Sequence, residues 1–271
     1  MPVEITSRRN EMIREIARLS GSAALRREKR LFVAEGARLC ADAAKSGLRL
    51  AALLETAQAA EKYGEYLRPM RAAAEAEYRI SPSVASFLSG TKTAQGVFCV
   101  CALPELSGTF PRAEDGKHCL VLENIQDPAN LGAALRTAEA LGFGGVLLAG
   151  RCCDAYAPKA LRAGMGAVFR LPLFAAEDSA GAVRRLNEAG FSTFAAVPDP
   201  GAPPVTSVRF DSPSAAVVGN EGSGLLPGTE RACSRRITIP MAGRAESLNA
   251  AASAAILMWE MMRGRRGREN P

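Results

Sequence analysis

The chain of 271 residues has one histidine, one tryptophan and no Cys-x-x-Cys pair, and each scarcity removes a class of chemistry. With His118 alone, a metal site of several histidines is impossible, and any Ser-His-Asp triad would have to be built around that residue. His118 stands just before an apolar run, which predicts a structural place at a strand edge. The seven cysteines (Cys40, Cys99, Cys101, Cys119, Cys152, Cys153 and Cys233) are an odd set, and Cys99/Cys101 and Cys152/Cys153 are too closely spaced for a zinc knuckle. Reduced, mostly buried thiols and no metal are expected. No G-x-x-x-x-G-K-[ST] is present and no G-x-G-x-x-G follows a strand pattern, so P-loop and ordinary dinucleotide sites are excluded. The longest apolar run, Ala250 to Met262, is interrupted by Glu260 and is shorter than the ~20 residues of a spanning helix. The N-terminus shows no secretory signal, which predicts a cytoplasmic protein without a membrane partner.

What is present is ordinary in amount and informative in arrangement. Hydrophobic residues make up 48% and charged residues 23%, enough for a sizeable core, and the length suits one large or two small domains. Lysine and arginine number 34 against 28 acids, a net charge of +6. The excess sits at the ends. Arg8, Arg9, Arg14, Arg18, Arg26, Arg27, Lys29 and Arg30 crowd the first thirty residues, and Arg263, Arg265, Arg266 and Arg268 close the chain. A solvated helix face would explain such a cluster, but its spread over a helix and a loop favours contact with nucleic-acid phosphates. The set assigned to RNA is Arg8, Arg9, Arg26, Arg27, Lys29 and Arg30.

Pro104 to Lys117 is polar and turn-rich, and divides the chain into residues 1–105, a linker over 106–117 and a second domain over 118–271. In the first part, runs at Leu31–Ala34, Leu48–Leu54, Glu77–Ile80 and Gly96–Cys101 alternate with helical patterns, and Ser81-Pro82 reads as a helix cap followed by a first-turn proline. In the second, the runs CLVLEN, GVLLA, VFRLPLF, FSTFAAV, SAAVVG and RITIP alternate with helical segments. The prediction is an α/β fold whose mainly parallel sheet is covered on both faces, with a small α/β domain before it. In such a sheet the ligand sits beyond the carboxyl ends of the strands, in the loops after Leu122, Val197, Val218 and Ile239.

Three clusters fall in those loops. The first, Leu122 to Ala138, leaves a strand, turns at Asp127-Pro128 and enters a helix near Asn130, on which Arg136 projects from a face otherwise made of Gly132, Ala133 and Ala140. An ordinary ion pair is the plain alternative for that arginine. The second, Val217 to Leu225, ends a strand with Gly219, Gly222 and Gly224 and offers Asn220 and Glu221 as polar groups. It suits either a tight turn or a floor for a ligand approached by backbone. The third runs from Ile237 through Ser247, Leu248 and Asn249 into an alanine-rich helix, with Ser247 as the expected N-cap; Met258, Trp259, Met261 and Met262 suit a core or a subunit interface.

Together, N-x-x-x-x-x-R, G-N-E-G-x-G-L and I-P-M-x-G-x-x-E-S-L-N resemble the signature of the SpoU (TrmH-like) branch of the SPOUT RNA methyltransferases. The stretch Lys29 to Leu39, with Thr93 to Val97, is similar to the substrate-binding domain of the family's ribosomal-RNA members. The resemblance implies a trefoil knot near the carboxyl end and a homodimer whose site borrows from the partner. It also implies S-adenosylmethionine as donor and a ribose 2′-hydroxyl as acceptor, in 23S ribosomal RNA. Transfer RNA, or RNA binding without catalysis, are the alternatives. It places Ala196 or Val197, Gly219, Asn220, Ile239 and Leu248 at the donor, largely through backbone groups. Asn130, Arg136, Glu221, Ser247 and Asn249 fall on its polar catalytic positions. Arg136 is the family's candidate for assisting loss of the hydroxyl proton. A free guanidinium is a poor base, so either RNA helps depress its pKa or it orients the hydroxyl while another group takes the proton.

Overall fold

A computed structural model describes residues 3–106, 110–210 and 213–266, with the side chains of 264–266 left aside; the end of the basic tail and part of the linker lie outside the described residues. The chain divides into two compact units, Met1–Glu105 with Tyr156–Phe169, and Leu106–Ala155 with Arg170–Pro271.

The first unit contains β1 (Val3–Ile5), α1 (Glu11–Gly21), α2 (Ala23–Lys29), β2 (Leu31–Glu35), α3 (Ala37–Lys45), β3 (Leu50–Glu55), α4 (Ala57–Lys62), α5 (Gly64–Ala73), β4 (Glu77–Ile80), α6 (Pro82–Leu88) and β5 (Val97–Ala102). Four of its helices, α1, α2, α4 and α6, start where a side-chain oxygen can take a free backbone N–H: Asn10 accepts from Ile13, Ser22 from Leu25, Thr56 from Ala59 and Ser81 from Val84. The sheet runs β1-β4-β3-β5-β2; β4 pairs in parallel with β1 and β3, and β5 is antiparallel to both β3 and β2. Ile13, Ile16 and Leu19 of α1 pack with Val33, Leu54, Ile80 and Phe98 into one core. A segment distant in sequence completes this unit: Tyr156 and Phe169 lie 5.0 and 5.8 Å, ring to ring, from the wholly buried Phe32.

The second unit holds β6 (Cys119–Glu123), α7 (Pro128–Ala140) and β7 (Gly145–Ala149); then α8 (Pro158–Gly164), which packs in the first unit; then β8 (Leu173–Ala176), α9 (Ser179–Glu188), β9 (Ser192–Ala196), β10 (Ser214–Val218), α10 (Pro227–Ala232), β11 (Arg235–Ile237) and α11 (Ala250–Arg266). Its six strands run β11-β9-β10-β6-β7-β8, and every pair is parallel. The chain proceeds from β6 outward to β8 and then returns to build β9, β10 and β11 on the other side, so the order reverses between β6 and β10. A reversal of this kind places a crevice at the strands' carboxyl ends, and the loops that leave β6 and β10 meet across it, Asn220 Nδ2 donating to Asn124 O (2.8 Å). Ala250, Ala254, Leu257, Met258 and Met261 form the buried stripe of α11, while Trp259 is 53% exposed.

Two local expectations change. The run VFRLPLF is not one strand: Ala167–Phe169 form a 3-10 turn and β8 begins only at Leu173, after Pro172, which has no N–H for a ladder. The N-cap of α11 is Asn249, not Ser247: Asn249 Oδ1 accepts from Ala251 N (2.9 Å) and Ala252 N (3.3 Å), and Ser247 lies exposed two residues upstream. His118 has the structural place expected of it, 3% exposed before β6, its Nδ1 accepting from Ser214 N (3.1 Å) where β10 begins. All seven cysteines are free thiols, four of them buried.

Candidate active site

Gly219 follows directly on β10, at a place where nothing larger fits. A Cβ there would overlap the carbonyl of Gly224 and the nitrogen of Leu225, both backbone atoms. The turn behind it is closed by Asn220 N to Gly224 O and Gly224 N to Asn220 O, both 3.0 Å, with Gly224 at φ +67°. Asn220 fills the turn: its Oδ1 accepts from Gly222 N (2.9 Å) and Ser223 N (3.0 Å), while its Nδ2 donates to Asn124 O (2.8 Å) across the crevice. The close approach that glycine permits is therefore made first to the turn's own backbone.

Beside this turn lies a cavity of about 400 Å³, within the range of small-molecule sites. Most of its wall comes from three segments, Ala196 to Asp199 at the end of β9, Val218 to Leu225 at the end of β10 and Thr238 to Leu248 after β11, and Glu230 of α10, Arg236 of β11 and Ala250 and Ser253 of α11 complete it. Ala196, Val197, Gly219, Asn220, Ile239 and Leu248 all line it, as do Glu221 and Ser247. Val218, Leu225, Ile239, Met241 and Leu248 give it apolar wall, and Asp199, Glu221 and Glu230 bring carboxylates. Arg236 ties two of these together, its Nη2 2.9 Å from Asp199 Oδ2 and its Nε 2.8 Å from Glu230 Oε1.

At the crevice, the polar residues of the three motifs meet in one chain of hydrogen bonds. The Glu221 carboxylate accepts from Asn130 Nδ2 (2.9 Å) and from the backbone N–H groups of Gln126 and Asp127 (3.3 Å each). Asn130 Oδ1 accepts from Asn249 Nδ2 (2.9 Å), and Asn249 Oδ1 caps α11. The direction of this relay is fixed at both ends. An ionised carboxylate only accepts and a helix N-terminus only donates, so each amide between them has a single workable orientation. For Glu221, partial burial opposes ionisation, but the Asn130 amide and the backbone N–H groups outweigh it and hold the carboxyl below its usual range.

Arg136 is exposed on α7, six residues beyond Asn130, and its guanidinium makes no hydrogen bond or ion pair among the described residues. The relay thus joins Asn130, Glu221 and Asn249; Ser247 lines the cavity without joining it, and Arg136 stands apart. Burial pushes the Cys153 thiol up to about 12, leaving little of the nucleophilic thiolate there at neutral pH.

In the first unit, Arg9 and Arg27 are exposed, Arg8 Nε donates to Ser83 O (3.1 Å), Lys29 pairs with Glu15 (3.6 Å) and Arg30 with Glu105 (3.0 Å). Arg26 differs from the expectation. It is 3% exposed, and its Nη1 donates to the carbonyls of Leu19 (2.5 Å) and Ser20 (3.1 Å), so its guanidinium closes the end of α1. It does not belong with the surface cluster.

Several residues outside the three sets of motif positions also build the site. Asn124 adopts φ +56° just after β6, and its Oδ1 accepts from Arg151 N (2.7 Å); Gln126 Nε2 donates to Asn124 O (3.0 Å) and Arg151 O (2.6 Å). An asparagine directly after a strand was the available signal, since asparagine tolerates the left-handed region better than other residues with a Cβ. Asp199 and Arg236 carried no local signal.

Comparison with known proteins accords with this geometry. Residues 117–259 match the profile of the SpoU rRNA Methylase family, and residues 10–99 match the MRM3-like substrate binding domain. A protein of Synechocystis sp. described as an uncharacterized tRNA/rRNA methyltransferase is 28% identical, over 96% of this chain and 93% of its own. The 23S rRNA (guanosine(2553)-2′-O)-methyltransferase of Bacillus subtilis is 32% identical, over 68% and 71%. The crystal structure of an AdoMet-bound rRNA methyltransferase from Sinorhizobium meliloti superposes with a TM-score of 0.83 at 28% identity, covering 96% of this chain and 97% of that one.

Proposed function

The chain belongs to the SpoU rRNA methylase family, and from that premise we propose that it transfers a methyl group from S-adenosylmethionine to a ribose 2′-hydroxyl of 23S ribosomal RNA. The observation that carries this reading is the relay Glu221–Asn130–Asn249, which brings three separate motifs to the rim of one cavity. The cavity suits the donor: apolar walls fit a base, and a lining charged with both signs, Asp199, Glu221 and Glu230 beside Arg236, suits a ligand that carries a sulfonium, an amino group and a carboxylate. When bound, S-adenosylmethionine supplies an electrophilic methyl carbon.

The chain's own residues supply position. Backbone groups of Ala196, Val197, Gly219, Asn220, Ile239 and Leu248 hold the donor, and Ser247 bounds the same cavity. Glu221, kept ionised, orients the Asn130 amide, and Asn130 fixes Asn249. This ties the acceptor-side helix α7 to the donor-side helix α11, so that the attacking oxygen and the methyl carbon can be held in line. Arg136 orients the acceptor hydroxyl through its N–H donors; a guanidinium offers five donors and no acceptor, which suits it to binding and not to taking a proton. No metal is assigned a role in this scheme.

RNA is held by the first unit. Arg8, Arg9, Arg27, Lys29 and Arg30 face its phosphates, since exposed pairs such as Lys29–Glu15 are weak enough to exchange partners. The protein works as a homodimer, with the exposed Ile256 and Trp259 of α11 in the contact. Among the described residues, no helix is long and apolar enough to cross a membrane.

The test is methyl transfer from labelled S-adenosylmethionine to unmodified total RNA, fractionated by size and digested to nucleosides. Label in large-subunit RNA as a 2′-O-methyl nucleoside is expected. Label in transfer RNA would refute the substrate, a base-methylated nucleoside would refute the reaction, and no label on either RNA or ribosomal subunits would refute catalysis.

A further inference from the structure

Glu123, the last residue of β6, is a wholly buried carboxyl group for which the reaction described above has no use, and it does not line the cavity. A carboxyl group taken out of water needs donors to replace it. Both of its donors come from the far end of the glycine turn. Oε2 accepts from Leu226 N (2.8 Å), and Oε1 accepts from the Thr229 hydroxyl (2.5 Å), itself buried. Leu226 is the N-cap of α10, a helix with no side-chain cap of its own, so Glu123 performs the capping from another strand. Leu225, one residue before it, is part of the cavity wall. The turn that floors the cavity is thereby fastened twice to β6. Its beginning is held by the pairing of Val218 with Leu122, and its end by the carboxyl of the very next residue, Glu123.

We propose that Glu123 is a positioning residue for the methyl donor: by gripping Leu226 and Thr229 it holds the turn from Gly219 to Leu225 in its donor-binding shape. The inference rests on reading the cavity as the donor site. A net hydrogen bond shifts a local equilibrium by roughly a factor of two to twelve. Apparent donor affinity falls in proportion to the fraction of molecules whose turn is formed, whereas chemistry at saturating donor, which re-forms the turn, changes little.

The experiment measures donor dissociation constants by calorimetry and kcat, donor KM and RNA KM by methyl transfer, for the wild type, Glu123→Ala, Glu123→Gln and Thr229→Val. Glu123→Ala is expected to raise donor Kd and KM by about tenfold or more, with kcat and RNA KM within about threefold. Thr229→Val, which removes one bond and keeps the shape, should raise donor Kd by a smaller factor. Glu123→Gln should restore most of the affinity, its carbonyl accepting from Leu226 N and its amide donating to the Thr229 oxygen. Should Glu123→Ala not fold, Thr229→Val and Glu123→Gln decide the matter. Unchanged donor Kd in the folded variants, or equal losses in kcat, donor KM and RNA KM, would overturn the inference. A wild-type protein that binds no donor would overturn the reading of the cavity itself, which keeps the two failures distinct.

Discussion

Adding one methyl group at Gly219 should separate donor binding from folding. In Gly219→Ala the new Cβ falls well inside 3.0 Å of the Gly224 carbonyl and Leu225 nitrogen, and these are backbone atoms with no rotamer to relieve the overlap. Ordinary contact begins at 3.4 Å, so the strand end and the turn must part by about 1 Å. That displacement stretches both 3.0 Å bonds between Asn220 and Gly224 beyond hydrogen-bonding range. Two net hydrogen bonds amount to about 1–3 kcal/mol. The turn is at the surface, with Gly222 and Ser223 exposed, so it can open without unfolding the sheet beneath, and the cost falls on donor affinity. At 1.4 kcal/mol per decade this is a roughly fivefold to 150-fold weaker donor, and at about 2–4 °C per kcal/mol the melting temperature falls by roughly 2–12 °C while the sheet stays folded at the assay temperature. Gly228→Ala is the matched control: its Cβ meets only Ala180, at 3.9 Å, and Gly228 lies outside the cavity wall. Titration calorimetry with thermal denaturation reads both effects. Wild-type donor affinity in Gly219→Ala, with the melting temperature also unchanged, would refute the reasoning, because it would mean the turn adapts to the methyl group at no cost.

Arg136→Ala should abolish methyl transfer while donor Kd stays within about threefold of wild type, since the guanidinium makes no contact with the cavity wall; loss of donor binding would contradict that division of labour. Asn249→Ala removes the cap of α11 at a cost of about 1 kcal/mol, for a melting temperature about 2–4 °C lower, and also frees the Asn130 amide to rotate, so transfer should fall more than stability does. The Glu221 carboxyl is held below its ordinary range. Its contribution is therefore complete above the ordinary carboxylate pKa of about 4.3 and is lost as pH falls through the lowered value. Donor binding should be flat from neutral pH to about 5 and weaken only in stronger acid, and a calorimetric series that weakens already between pH 7 and 6 would count against this assignment.

Residues that signal through their neighbours in sequence were readable. The apolar runs mark β2, β5, β6, β7, β9 and β10 to within a residue or two, because a strand buried on both faces is apolar nearly throughout and ends in a polar turn. The same rule located the loops that wall the cavity, since in a parallel sheet all of them lie at one edge. Ser81 as a cap was legible for the same local reason. Ser247 was not a cap, because the choice between Ser247 and Asn249 depends on which oxygen reaches the first free N–H groups, and that depends on where the third loop enters α11. The strand start at Leu173 was masked by hydrophobic residues on both sides of Pro172, and Phe169 proved to be apolar because it covers Phe32. Arg26 looked like its neighbours in charge and differs from them only in facing the end of α1. Glu123 and Asn124 join partners about a hundred residues away, and no local pattern records such a pairing.

The fourteen residues Tyr156–Phe169 make the first unit a discontinuous object, written in the gene as two separate phrases. Burying a phenylalanine is worth roughly 1.5–3 kcal/mol, and for Phe32 that shelter includes Tyr156 and Phe169. A fragment ending at Glu105 would expose that ring. Exchange of the amino-terminal unit between relatives, whether by recombination or by an engineer, therefore cannot proceed by a single cut between β5 and β6. It must carry α8 and its flanking aromatics along with the amino-terminal sequence, or inherit a mismatched seam. The amino-terminal unit is consequently harder to transplant than a linear drawing of two consecutive domains suggests.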